Sequence, residues 1–84
     1  MDKNLMKSLC MQTLKQMRLD AQITQSQLAK MLEKPQSFVS KYENGDRSLD
    51  IIEVYLICRK LDKSLCEFEE TLENFIKESS WFVI

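Results

Sequence analysis

Apolar positions recur at three- and four-residue steps along most of this chain. From about Asn4 to Asp20, the residues Leu5, Leu9, Cys10, Leu14, Met17 and Ala21 share one face, which predicts an amphipathic helix. Methionines 6, 11 and 17 enrich the same segment and read as adaptable packing. A second helix starts at Thr24 and runs to about Leu32. Thr24-Gln25-Ser26-Gln27 fits a capping box, with the Thr hydroxyl accepting an early N–H and Gln27 reaching back. Glu33-Lys34 predicts a turn. Pro35 suits the first position of a third helix, where a missing N–H is no loss. That helix ends at Asn44, with Gly45 free to take the left-handed cap.

Asp50, with Glu53 three residues on, predicts the cap of a fourth helix. Ile51, Val54, Ile57, Cys58 and Leu61 form its inward stripe, while Ile52, Tyr55 and Leu56 make a second apolar surface. Ser64-Leu65-Cys66-Glu67 is another capping box. Leu65, Phe68, Leu72, Phe75 and Ile76 then line one face of a fifth helix, to about Ser79, and Glu67, Glu69, Glu70 and Glu73 solvate the rest. The chain closes on Trp81-Phe82-Val83-Ile84, four large apolar residues that either fold back on the core or meet a partner.

With 84 residues, one domain is expected, and its short length leaves it marginally stable unless it pairs. One Gly and one Pro leave little room for a turn-rich β architecture, so the expected fold is all-α. The net charge is −1, but it divides unevenly: residues 1–47 carry +3 and residues 48–84 carry −4. A basic front and an acidic back suit a module that shows one face to phosphate. Cys10, Cys58 and Cys66 have no metal-type spacing, and with no His a Cys/His zinc site is excluded. No metal or cofactor is expected. Three thiols fit a reducing cytosol, and neither a signal peptide nor a membrane span is read in the chain. The absence of His, of a Gly-rich phosphate loop and of clustered carboxylates argues against an enzyme.

The stretch 23–45, ITQSQLAKMLEKPQSFVSKYENG, carries the chemistry. Ile23, Leu28, Ala29, Leu32, Val39 and Tyr42 fall where two helices crossing steeply need apolar groups, and Gln25, Gln36, Ser37, Ser40 and Lys41 are left outward. That is the layout of a DNA-reading helix-turn-helix, about residues 24–44. The major groove admits one helix; Gln36 has the paired donor and acceptor that match adenine, and Lys41 can donate to guanine or to phosphate. A good bidentate pair discriminates by about 1–3 kcal/mol.

LKQMR (14–18), ITQSQLAKML (23–32), SFVSKYENGDR (37–47) and ICRKLDKSLCEF (57–68) resemble the Cro/repressor-type helix-turn-helix family, which includes phage repressors, restriction–modification controllers and antitoxin-type regulators. The resemblance implies a five-helix fold. It implies base reading by Gln36, Ser37, Phe38, Ser40 and Lys41, phosphate contacts by Gln25, Lys34, Asn44 and Arg47, and a structural ion pair between Arg18 and Glu43. The chain departs from the family pattern at Glu33, where Gly is usual, at Leu49, where Pro is frequent, and at Phe38, which is larger and more apolar than is common there.

One motif reads only a few base pairs, so a homodimer on a palindromic operator is expected, with half-sites about 34 Å apart. The dimerisation segment is placed at about 50–84, with Ile52, Tyr55, Leu56, Phe75, Trp81, Phe82 and Ile84 as seam residues. The leading expectation is a cytoplasmic transcriptional regulator without a separate effector domain, of restriction–modification controller or phage-repressor type. The alternative is an antitoxin-like module whose apolar C-terminus captures a second protein.

Overall fold

The computed structural model describes residues 2–78. Among them are five helices and no strand: α1 (Lys3–Asp20), α2 (Gln25–Met31), α3 (Gln36–Glu43), α4 (Ile51–Lys60) and α5 (Leu65–Glu78). Trp81, Phe82 and Ile84, named above for the dimer seam, lie outside the described residues.

Local chemistry sets the helix starts. Thr24 Oγ1 accepts from Gln27 N at 3.1 Å while Gln27 Oε1 accepts from Thr24 N at 2.8 Å. Asp50 and Glu53 repeat this reciprocal box on α4 at 2.7 and 3.0 Å. Ser64 and Glu67 do so on α5. Each box satisfies two backbone donors that a helix start leaves orphaned. Pro35 is the N-cap of α3, with extended backbone, rather than its first helical residue. Its ring precludes no bond there, since a cap N–H lies outside the helix ladder.

The helix ends share one device. α1, α2, α3 and α4 are each followed by a left-handed residue: Gln22 at φ 59°, Glu33 at 57°, Gly45 at 83° and Asp62 at 61°. In each case the next N–H bonds back across the last turn: Ile23 N to Arg18 O, Lys34 N to Ala29 O, Asp46 N to Lys41 O, and Lys63 N to Cys58 O. These are Schellman closures, which satisfy orphan carbonyls. Only Gly45 adopts this conformation without steric cost.

α2 and α3 pack on each other, α1 crosses α3, and α5 lies along α1 with a smaller contact to α4. The shared core comprises Leu14, Met17, Leu28, Ala29, Val39, Tyr42, Val54, Ile57, Cys58 and Leu61, with Phe38, Leu49 and Phe68 among the half-buried residues packed against it. Ile51 leaves the inward stripe assigned to it: at 66% exposed it sits in the first turn of α4, beyond the reach of the core. Thr13, which no apolar pattern marks, is fully buried, and its hydroxyl satisfies itself on Leu9 O at 2.8 Å. Phe75 of the expected seam is half-buried on α5, a helix that packs on α1 of its own chain.

Candidate nucleic-acid interface

The site begins inside the protein. The Arg18 guanidinium grips Glu43 through Nε to Oε2 at 2.7 Å and Nη2 to Oε1 at 3.1 Å, and its Nη1 donates to Ile23 O at 2.8 Å. Both side chains are almost fully covered, at 8% and 1% exposed. The bond to Glu43 holds the Arg18 proton more firmly than usual, against the opposing effect of burial. This is the ion pair that the sequence resemblance implies, and it ties the end of α1 to the end of α3.

The pair continues outward as a relay. Gln25 Nε2 donates to Glu43 Oε1 at 3.0 Å, and Gln36 Nε2 donates to Gln25 Oε1 at 3.2 Å. A buried carboxylate thereby fixes the first residue of α2, which in turn fixes the first residue of α3. Gln36 keeps its carbonyl oxygen and one N–H uncommitted among the described residues, the complement that a bidentate adenine contact uses. Gln25 uses both ends of its amide inside the protein and retains one amide hydrogen for an external acceptor.

Gln36, Ser37 and Lys41 are exposed along α3, and Ser40 is half-buried beside them. Phe38 is half-buried on the same helix. Its ring packs edge-on against Tyr42, with centroids 5.7 Å apart and planes at 74°. The Arg47 guanidinium lies over the same ring at 4.7 Å, and Lys34 Nζ approaches it at 5.7 Å. Phe38 therefore organises two cations named as phosphate contacts, through cation–π attraction. Asn44, the C-cap of α3, and Arg47 are exposed in the loop that follows.

Arg47 is also held by Glu53, with Nη1–Oε1 at 3.3 Å and Nη2–Oε2 at 3.0 Å. The hydrogen bond from Arg47, joined by the Asp50 N–H, keeps the Glu53 carboxyl below the usual carboxylate range. Sequence reading missed both this pair and the Gln25–Gln36 bond. The i to i+6 separation of the first belongs to no helical repeat, and the second joins residues on different helices.

Beside this surface, α1 and the loop following α3 border an open groove of about 860 Å³, lined in part by Lys3, Lys7, Lys15 and Arg47. The face built by α2, α3 and their flanking loops thus carries amides, hydroxyls and cations on a rigid frame. That arrangement can donate to base edges and phosphate oxygens. Among the described residues, no His/Cys/Asp/Glu cluster could hold a metal ion.

Of the cysteines, Cys58 is buried, Cys10 is half-buried and Cys66 is exposed. Burial, with a smaller contribution from Glu67, pushes the Cys58 thiol up to about 11, and burial raises Cys10 as well. No described helix is long and apolar enough to cross a membrane.

A family model described as helix-turn-helix matches residues 14–68. Among solved structures, an XRE-family-like protein from Pseudomonas syringae pv. tomato is 39% identical, covers 86% of this chain and 88% of its own, and superposes with a TM-score of 0.77. A point mutant of the restriction–modification controller protein C.Esp1396I is 30% identical, covers 90% of this chain and 95% of its own, and gives a TM-score of 0.78. The clp gene regulator ClgR from Corynebacterium glutamicum gives a TM-score of 0.80 over 89% of this chain and 80% of its own, at 16% identity, a likeness of fold. No curated protein matches the chain.

Proposed function

The chain belongs to the XRE-type helix-turn-helix family of DNA-binding transcriptional regulators, and from that premise we propose that it binds a palindromic operator as a homodimer. Gln36, Ser37, Ser40 and Lys41 read base edges. Gln25, Lys34, Asn44 and Arg47 contact phosphate, and Phe38 backs the cationic part of that surface. The observation that carries this reading is the relay from Arg18 through Glu43 and Gln25 to Gln36, which sets the pitch of the reading helix before DNA arrives. Preorganised groups bind without the cost of ordering.

The dimer seam forms on α4. Ile51 and Ile52 are each 66% exposed, with Tyr55 at 46% and Leu56 at 47% beside them. Isolated exposed apolar residues are ordinary, but four clustered on one short helix mark an interaction surface. A restriction–modification controller is the favoured sub-class, supported by the 30% identity to one over nearly the full length. The protein acts in the cytoplasm, on the nucleoid, and its own concentration regulates operator occupancy.

Sedimentation equilibrium with and without duplex tests this arrangement. Two chains per duplex are expected for wild type. The Ile52→Lys/Leu56→Lys variant is expected to keep its helical circular dichroism, run as a monomer and lose tight binding. A wild type that occupies DNA as one chain, or a variant that still pairs, rules out the α4 seam.

A further inference from the structure

The loop between α3 and α4 contains an arginine with two of its five donors unused among the described residues. Arg47 Nη1 donates to Ser48 O at 2.9 Å and to Glu53 Oε1 at 3.3 Å, and Nη2 donates to Glu53 Oε2 at 3.0 Å. A guanidinium offers five N–H groups in a rigid fork. The bonds to Ser48 and Glu53 occupy the edge formed by its two terminal nitrogens. On the other edge, Nε–H and the second hydrogen of Nη2 lie side by side, with no acceptor among the described residues. The same protein shows what that edge takes: Arg18 uses Nε and Nη2 to grip both oxygens of Glu43, at 2.7 and 3.1 Å. The Arg47 guanidinium carbon also lies over the Phe38 ring, 4.7 Å from its centroid, a second contact that limits its movement.

We infer that Glu53 is a positioning residue for Arg47: with Phe38 beneath, it holds the guanidinium so that its Nε/Nη2 edge forms a preset clamp for one DNA phosphate. The inference rests on the DNA-binding reading above and adds to it a residue that never touches DNA. An unheld arginine loses much of its rotamer freedom when it engages a two-oxygen anion, whereas a planar fork already fixed loses little. Glu53 brings a negative charge near the phosphate as well. Both side chains are partly solvated, at 40% and 25% exposed. Both anions would share one guanidinium and so lie within the screening length of about 8 Å at physiological ionic strength, which leaves the repulsion only partly damped. The inference requires ordering to outweigh it, and binding by Glu53→Gln decides between the two.

Glu53→Gln is the informative substitution, because its amide oxygen still accepts from Asp50 N–H and keeps the α4 cap while the second carboxylate oxygen is lost. Binding is measured to a duplex of arbitrary sequence and to an operator duplex, over a salt series, for wild type, Glu53→Gln, Arg47→Ala and the double variant. Glu53→Gln is expected to weaken both duplexes by roughly fivefold per protomer, about half of an arginine's rotamer freedom. The salt slope should stay unchanged, because the same phosphates are neutralised. Arg47→Ala should lower the slope by about 0.9 per protomer. In the Arg47→Ala background, Glu53→Gln should change nothing.

Equal or tighter binding by Glu53→Gln overturns the inference, as does an undiminished loss in the Arg47→Ala background, which makes Glu53 merely structural. If Arg47→Ala weakens only the operator duplex, Arg47 reads a base and the phosphate clamp is wrong. Should wild type bind no duplex at all, the functional reading fails, and nuclear relaxation of the Arg47 Nε–H still decides the positioning. An order parameter near about 0.85 in wild type, falling below about 0.6 in Glu53→Gln, supports it; a mobile wild-type Nε–H overturns it.

Discussion

Glu43→Ala is the most damaging single change that this architecture exposes. Glu43 accepts from Arg18 Nε, Arg18 Nη2 and Gln25 Nε2, and its side chain is 1% exposed. Removing it leaves the covered Arg18 guanidinium with Ile23 O as its remaining acceptor. Stranding one member of a buried ion pair costs about 3–5 kcal/mol. A chain of 84 residues has roughly 4–13 kcal/mol of total stability, so the loss removes a large share of it. Urea unfolding followed by far-ultraviolet circular dichroism should show a midpoint lower by about 3 M or more, at a slope near about 1 kcal/mol per M. Arg18→Met/Glu43→Leu should recover most of that loss, because replacing both charges by apolar groups of similar bulk is commonly neutral or stabilising. A Glu43→Ala loss below about 1 kcal/mol would refute the stranded-charge argument. A double variant as unstable as Glu43→Ala would locate the damage in lost packing instead.

Three smaller effects arise from strained or buried single residues. Glu33 sits left-handed at φ 57°, a conformation that costs an L-residue about 1–2 kcal/mol, so Glu33→Gly should gain about 1 kcal/mol net and raise Tm by about 4–8 °C. Glu33→Ala, which keeps a Cβ, should gain nothing; equal gains would point to the carboxylate rather than the backbone. The Tyr42 hydroxyl is buried with no hydrogen-bond partner among the described residues, so Tyr42→Phe should leave stability equal or higher by urea unfolding, and a loss above about 1 kcal/mol would reveal a bond worth keeping. With its thiol pushed up to about 11, buried Cys58 should resist alkylation at pH 8, read by mass spectrometry of digested peptides, while exposed Cys66 reacts; rapid labelling of Cys58 would mean that the core opens readily.

Much of this fold was legible because its signals are local. The reciprocal caps at Thr24, Asp50 and Ser64 depend on residues three apart, and the apolar steps of α1 and α4 depend on a fixed helical period. Gly45 announced the end of α3. The ends at Gln22, Glu33 and Asp62 were harder to read, because residues that prefer other conformations are held left-handed by the Schellman bonds around them. Ile51 looked inward by period alone, but a first-turn position on α4 lies beyond the core. At the site, the resemblance supplied Arg18 and Glu43 as a pair. It did not supply the continuation through Gln25 to Gln36, or the placement of Arg47 over Phe38. Those contacts join residues on separate elements, and only the crossing of α2, α3 and the following loop brings them together.

Base reading by α3 is decided by selection of bound sequences from a randomised duplex pool, with wild type run beside Gln36→Ala/Lys41→Ala. Wild type should enrich an inverted repeat with a steep salt dependence of binding, and the double variant should lose the enrichment while remaining folded. A wild type that enriches no sequence and binds no more tightly than a neutral control protein would contradict base reading by α3.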